Sequence, residues 1–206
     1  MSDFAAVVLA GGAARRMGGA AKPLLTVGGV SLLSRVLAAV ADARPRIVVG
    51  PGELVPLLPR GVSLTIEVPP GGGPVAAAAA GLALLGGTRT PGSTNQVALL
   101  AADLPFLSRH TVDSLRRGLA DGTDGAVLVD NAGHDQWLCG VWRLESLVAQ
   151  LAQFGDPVGR SMKELAGGLR VAQVAAPDPT RPPAWFDCDT EDDLRRAEEW
   201  ADGDVG

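Results

Sequence analysis

The first apolar run of the chain, Phe4 to Leu9 (FAAVVL), ends abruptly at Gly11-Gly12. This junction constrains the fold more than any other stretch. With β-branched Val7 and Val8 and no polar alternation, the run reads as a strand buried on both faces, the kind found inside parallel sheets covered by helices. The loop beyond it is small-residued except for Arg15 and Arg16, passes through Met17-Gly18-Gly19, and reaches a lone Lys22. Glycines let backbone N–H groups approach phosphate oxygens without a Cβ in the way. Arg16 and Lys22 add charge and donors, so the strand empties into a loop suited to holding phosphates.

Two familiar phosphate-loop templates do not fit. A Walker loop needs Gly-Lys-Ser/Thr as a unit, but Gly19 and Lys22 are separated and Pro23 follows. A dinucleotide fingerprint needs GxGxxG running into a helix. Here the loop leads instead to Lys22-Pro23-Leu24, where proline favours an extended or turn geometry for Lys22.

The remaining pattern alternates short apolar runs with helical spacing. Ser31 can cap a helix through Leu32, Leu33, Val36, Leu37 and Val40 to about Asp42; Arg46–Gly50 and Val62–Val68 read as strands, with a helix or loop from Glu53 to Leu58. Pro74 opens an alanine-rich helix to Leu85 after Pro69-Pro70-Gly71-Gly72-Gly73, and Gly86–Asn95 reads as an exposed loop. Gln96–Ala102 is the most convincing central strand, ending at Asp103. A carboxylate there stands where open α/β sheets place their chemistry, although an Asx turn before Pro105 is the structural alternative.

Ser108 can cap a helix through Val112, Leu115 and Leu119, with Arg116 and Arg117 facing solvent and His110 exposed. Gly125–Asp130 and Gln136–Arg143 read as strands joined by a hairpin-like Asn131–Asp135. Leu144–Phe154 is helical, a second helix ends near Gly167, Arg170–Ala176 is a late strand, and a charged helix runs to about Trp200 after a cap at Asp189 or Thr190. Strands separated by helices imply a parallel sheet with helices on both faces. The chain is expected to be one domain over 1–206, with 203–206 as a flexible tail.

At 206 residues there is length for a sizeable core, supplied by aliphatics because aromatics are only 4% and tyrosine is absent. A net charge of −5 argues against a nucleic-acid or anionic-membrane partner, so any polyanion site must be local. Cys139 and Cys188 are too few for a disulfide framework or zinc ribbon and suit reduced, partly buried thiols of a cytoplasmic protein. No basic region precedes the first apolar run and no long unbroken apolar stretch occurs, so neither secretion nor a membrane span is expected.

Leu9-Ala10-Gly11-Gly12, then Arg16-Met17-Gly18, then Lys22-Pro23-Leu24 resembles the signature loop of nucleotidyltransferases that join an NTP to a phosphorylated acceptor, most closely the molybdenum cofactor guanylyltransferase family. Gly73-Pro74-Val75-Ala76 resembles that family's segment against base and sugar, and Gln136-Trp137-Leu138-Cys139-Gly140 its acceptor-facing segment, with Trp137 in place of the usual proline. Asp187 to Leu194 resembles its closing motif, with Glu191 in place of proline. The resemblance implies a three-layer Rossmann-like nucleotidyltransferase fold with a mostly parallel sheet.

It also implies that GTP or another NTP and a phosphorylated small molecule, molybdopterin above all, are the substrates. Leu9, Ala10, Gly11, Gly12, Gly73 and Pro74 would line the nucleotide. Arg16 would clamp the β- and γ-phosphates and Lys22 would meet the α-phosphate. Asp103 would hold Mg²⁺, with Asp189 as second metal candidate, and Gln136 and Trp137 would face the acceptor. Where some relatives carry an acidic residue after the third strand, this chain has Val68, with Glu67 one position earlier. Alternatives stay open: a sister cytidylyl- or guanylyltransferase acting on phospholactate or a sugar phosphate, or a non-catalytic nucleotide-binding module. His134 and Asp135 could be an acid/base pair or turn residues. Arg160, Ser161 and Lys163 could meet an anionic acceptor or belong to a solvated loop.

Overall fold

A computed structural model describes residues 4–11, 22–86, 95–176 and 181–203. Its elements run β1 (Phe4–Leu9), β2 (Thr26–Val27), β3 (Val30–Ser31), α1 (Leu32–Ala39), β4 (Arg46–Val49), β5 (Val62–Thr65), α2 (Pro74–Gly86) and β6 (Gln96–Ala101). They continue with α3 (Arg109–Gly118), β7 (Gly125–Val129), β8 (Asp135–Arg143), α4 (Leu144–Phe154), α5 (Met162–Ala166), β9 (Val171–Val174) and α6 (Glu191–Gly203). Among the described residues, seven strands form one sheet in the order β5-β4-β1-β6-β8-β7-β9. Only β8 runs against its neighbours, pairing antiparallel with both β6 and β7, while the other pairings are parallel.

Alternation along β1 builds the three layers. Ala6 and Val8 join Leu33, Val36, Leu37, Val112 and Leu115 on one face, under α1 and α3. Ala5, Val7 and Leu9 join Val75, Ala78, Leu82, Leu147 and Leu165 on the other, under α2, α4 and α5. A strand with apolar residues at every position is thereby explained: both faces are covered.

The alanine-rich helix α2 lies close against β1 because Gly81 faces the sheet. A Cβ there would stand 2.4 Å from Val7 Cγ1 and 3.0 Å from Val49 Cγ2. Gly81→Ala gains about 1 kcal/mol of helix propensity, but overpacking a filled core costs about 1–3 kcal/mol, so net destabilisation is expected. The check is a lower urea midpoint at unchanged slope; an unchanged midpoint would mean that α2 can shift outward freely.

Several boundaries differ from the sequence reading. β5 ends at Thr65 rather than Val68, because the chain leaves the sheet to turn Glu67 inward, where it is only 6% exposed. Glu53–Leu58 resolves as a 3-10 turn over Gly52–Leu57, α1 stops at Ala39, and α6 continues to Gly203, so that residue is helical rather than the start of a tail. Arg116 does not face solvent: its guanidinium lies 4.3 Å over the Phe4 ring and its Nε donates to Gln96 Oε1 at 3.2 Å. The tip of an arginine can satisfy itself while its stem covers apolar surface, which periodicity alone does not reveal. Cys139 and Cys188 are fully buried, and burial pushes both thiols up to about 12.

Candidate active site

The carboxyl ends of β1 and β6 lie side by side, tied by the Ala102 N–H donating to Leu9 O at 3.0 Å. That brings Leu9, Ala10 and Gly11 next to Asp103. Ala10 is in turn held to β4 through the Val49 carbonyl at 2.7 Å. Gly12 and Arg16 lie outside the described residues. Lys22 opens a 3-10 turn over Lys22–Leu24 anchored by buried Pro23, consistent with the turn geometry expected ahead of proline.

From that turn Lys22 Nζ donates to Asp103 Oδ2 and, at 2.6 Å, to Asp189 Oδ1. Burial lowers the Lys22 pKa, but the neighbouring Asp103 and Asp189 carboxylates outweigh it and the net direction is upward, so the ammonium stays charged throughout the neutral range. Asp189 reaches it because the Cys188 N–H donates to the Asp103 carbonyl at 3.2 Å, tying the segment before α6 to the end of β6. Asp189 does not cap α6. Thr190 Oγ1 accepts from Asp193 N at 3.1 Å, and the Asp193 carboxylate accepts from Thr190 N at 2.8 Å. With that cap supplied by Thr190, the Asp189 carboxylate is left for Lys22.

A cavity of about 340 Å³ opens beside this ion pair, lined among others by Pro74, Asp103, Gln136, Trp137, Trp185 and Asp187. Four of these are sequence candidates. Pro74 arrives as the first residue of α2, after Gly73 at φ +92, a backbone conformation that favours glycine. Gln136 and Trp137 arrive through an irregularity in β8: Val127 pairs with Gly140 but Leu128 already pairs with Gln136. Residues 137–139 thus have no β7 partner, and they line the cavity beside Gln136, Cys139 while still paired with Leu100 of β6. A second cavity of about 540 Å³ is lined by residues including Arg35, Phe106, His110 and Arg181 and holds none of the motif residues. Chemistry, not size, selects between them.

Asp187 escapes sequence reasoning as a site residue because a run of acids before a helix reads as capping. It lines the cavity, and its pKa is pushed up by burial and then by the charges of Asp189 and Asp103. Glu67 stands out in the sequence only as a displaced acid. Its Oε1 accepts from Gly71 N at 3.0 Å, and it lies against Gly11, where a Cβ would be 3.6 Å from Oε1. Nothing in a one-position offset announces that a side chain will turn inward.

Other candidates resolve structurally. His134 Nδ1 faces Asp130 at 3.2 Å rather than Asp135, which accepts from Gln173 Nε2 at 2.7 Å. Ser161 caps α5 in a box with Glu164, and Arg160 pairs with the same Glu164 at 3.0 Å, so these groups are engaged with α5 itself.

The donor set suits a small hard cation. Asp103 Oδ1 is buried with no hydrogen-bond partner among the described residues, an acceptor left for a ligand. Among the described residues no group of three His, Cys, Asp or Glu side chains is arranged to hold a metal. A site of one or two carboxylates is the kind Mg²⁺ uses, its other positions filled by waters and substrate phosphates.

The model of the MobA-like NTP transferase domain matches residues 6–172. The chain belongs to the MobA-like NTP transferase family. A molybdenum cofactor guanylyltransferase of Bradyrhizobium sp. (strain ORS 278) is 32% identical over 200 residues, covering 95% of this chain and 92% of that one. Among solved structures, molybdopterin-guanine dinucleotide biosynthesis protein A from Archaeoglobus fulgidus superposes with a TM-score of 0.72 at 20% identity, covering 96% of this chain and 98% of the other. A Mycobacterium tuberculosis H37Rv protein solved in complex with manganese gives 0.67 at 20% identity, covering 96% and 99%. The MobA-like chain is thus a nucleotidyltransferase by family, built on the Rossmann-like sheet these structures share. No helix among its described residues is long and apolar enough to cross a membrane.

Proposed function

We propose that this MobA-like protein transfers GMP from GTP to the phosphate of molybdopterin, with Mg²⁺ and release of pyrophosphate. The observation that carries this reading is the ion-paired cluster of Lys22, Asp103 and Asp189 at the strand ends, beside a cavity lined by Gln136 and Trp137. The relative from Bradyrhizobium, named for the same activity and similar over nearly the whole chain, supports it.

In this reaction an oxygen of the acceptor phosphate forms a bond to the α-phosphorus of GTP. The α–β bridging P–O bond breaks, and pyrophosphate leaves with the electron pair. The nucleophile is already an anion and needs no strong base, so catalysis rests on bringing two polyanions together and stabilising the charge that develops. Leu9 to Gly12, Gly73 and Pro74 cradle the nucleotide, Arg16 clamps its β- and γ-phosphates, and Lys22 meets the α-phosphate. Glu67, against Gly11, borders the nucleotide side. Asp103, with Asp189, would hold Mg²⁺, which supplies positive charge to the triphosphate and the departing pyrophosphate.

The test is thermal stabilisation by GTP, CTP, ATP and UTP, each with and without Mg²⁺, followed by pyrophosphate release with molybdopterin. A GTP-selective, Mg²⁺-dependent shift and turnover are expected. A CTP-selective shift would overturn the base assignment, and no shift with any nucleotide would overturn the enzyme reading of the site.

A further inference from the structure

The turn between β7 and β8 is organised around one carboxylate. Asp130 Oδ1 accepts from the backbone N–H groups of Ala132 and His134, both at 2.8 Å. Its Oδ2 lies 3.2 Å from His134 Nδ1 and 3.2 Å from Gln136 Nε2. The backbone bond from His134, foremost, holds the Asp130 carboxyl below the usual range, so the group is ionised and can only accept.

That decides the orientation of the Gln136 amide. Its hairpin-facing end meets two acceptors, the Asp130 carboxylate and the His134 carbonyl at 3.4 Å, so that end must be the NH₂. The carbonyl oxygen is then the end the hairpin does not hold, on a side chain that lines the cavity. Trp185 lines the same cavity, and its indole N–H is buried with no acceptor among the described residues. Trp137 adds a flat wall, stacked on Trp142 at 6.5 Å and 30°.

We infer that Asp130 is a positioning residue. It fixes Gln136 with its carbonyl oxygen toward the cavity, so that the acceptor group recognised there is the N–H donor edge of a planar heterocycle. This rests on reading the cavity as the acceptor's site and deepens it. A carbonyl repels an anion, so the acceptor's phosphate must lie away from Gln136, toward Lys22. The arrangement selects for a heterocycle with amino and ring N–H donors, as a pterin has.

The experiment compares the unaltered protein, Asp130→Asn, and Asp130→Asn combined with Gln136→Glu. An asparagine oxygen can keep the two backbone bonds while its NH₂ turns to residue 136. Gln136 then meets a donor at its nearer contact and keeps only the longer one, to the His134 carbonyl, so it is expected to reverse and offer NH₂ to the cavity, whereas a glutamate there accepts from the asparagine and again offers the cavity an oxygen. Binding is read by NMR titration with free pterin, which lacks any phosphate, alongside the Mg²⁺-GTP thermal shift and the melting temperature of each variant.

The expected result is pterin binding weakened about tenfold or more in Asp130→Asn, the scale of one unmatched hydrogen bond. Most of it should be recovered in the double variant, with the nucleotide shift alike in all three. Equal pterin binding by all three, no recovery in the double variant, or no pterin binding by the unaltered protein would each overturn the inference. Absence of turnover with molybdopterin beside the expected pterin pattern would instead overturn the proposed reaction and leave the inference standing.

Discussion

Lys22→Ala is expected to cut turnover with GTP and molybdopterin by about two to three orders of magnitude, or about 3–4 kcal/mol in the transition state, while leaving the fold in place. The size comes from the position of the charge. Among the described residues Nζ is the cation that faces both Asp103 and Asp189, and a donor fixed where charge grows on a phosphate is worth far more than a mobile one. The turn that carries it depends on buried Pro23 and on Leu25 N–H donating to the Lys22 carbonyl at 3.2 Å, neither of which needs the side chain. Steady-state pyrophosphate release measures the loss, and circular dichroism with a urea midpoint checks the fold. Near-normal turnover would remove Lys22 from the mechanism.

Asp103→Asn keeps size and shape but removes the charge. The main chain there is held independently, since its carbonyl accepts from Cys188 N–H whatever the side chain. The Mg²⁺-dependent part of the GTP thermal shift should therefore vanish, and turnover should fall about a thousandfold, or ~4 kcal/mol. The Mg²⁺-independent part of the shift should survive, because the glycine loop and α2 are untouched. Persistence of the full Mg²⁺ dependence would move the metal from Asp103 to Asp187 or Asp189.

Much of the fold is legible from local signals. β1 is bounded as read, Ser31 and Ser108 cap α1 and α3 through the N–H groups of Ser34 and Thr111, and α4 spans Leu144–Phe154 as expected. Strands alternating with helices imply a parallel sheet, from which only β8 departs. These features are local, fixed by the side-chain period and by which residue can accept a hydrogen bond from a free helix N–H.

What the order of residues alone determined is the fold class and the family, because hydrophobic period, capping and the spacing of a few motif residues act over short stretches of chain. The tertiary structure alone decided which polar side chains meet. Lys22 and Asp189 are 167 positions apart and touch only because Cys188 is bonded to the end of β6. Glu67 turned inward, and Asp187 joined the cavity rather than a cap. Each outcome depends on where separate strand ends and turns are brought together, and on which partner a buried charge finds there.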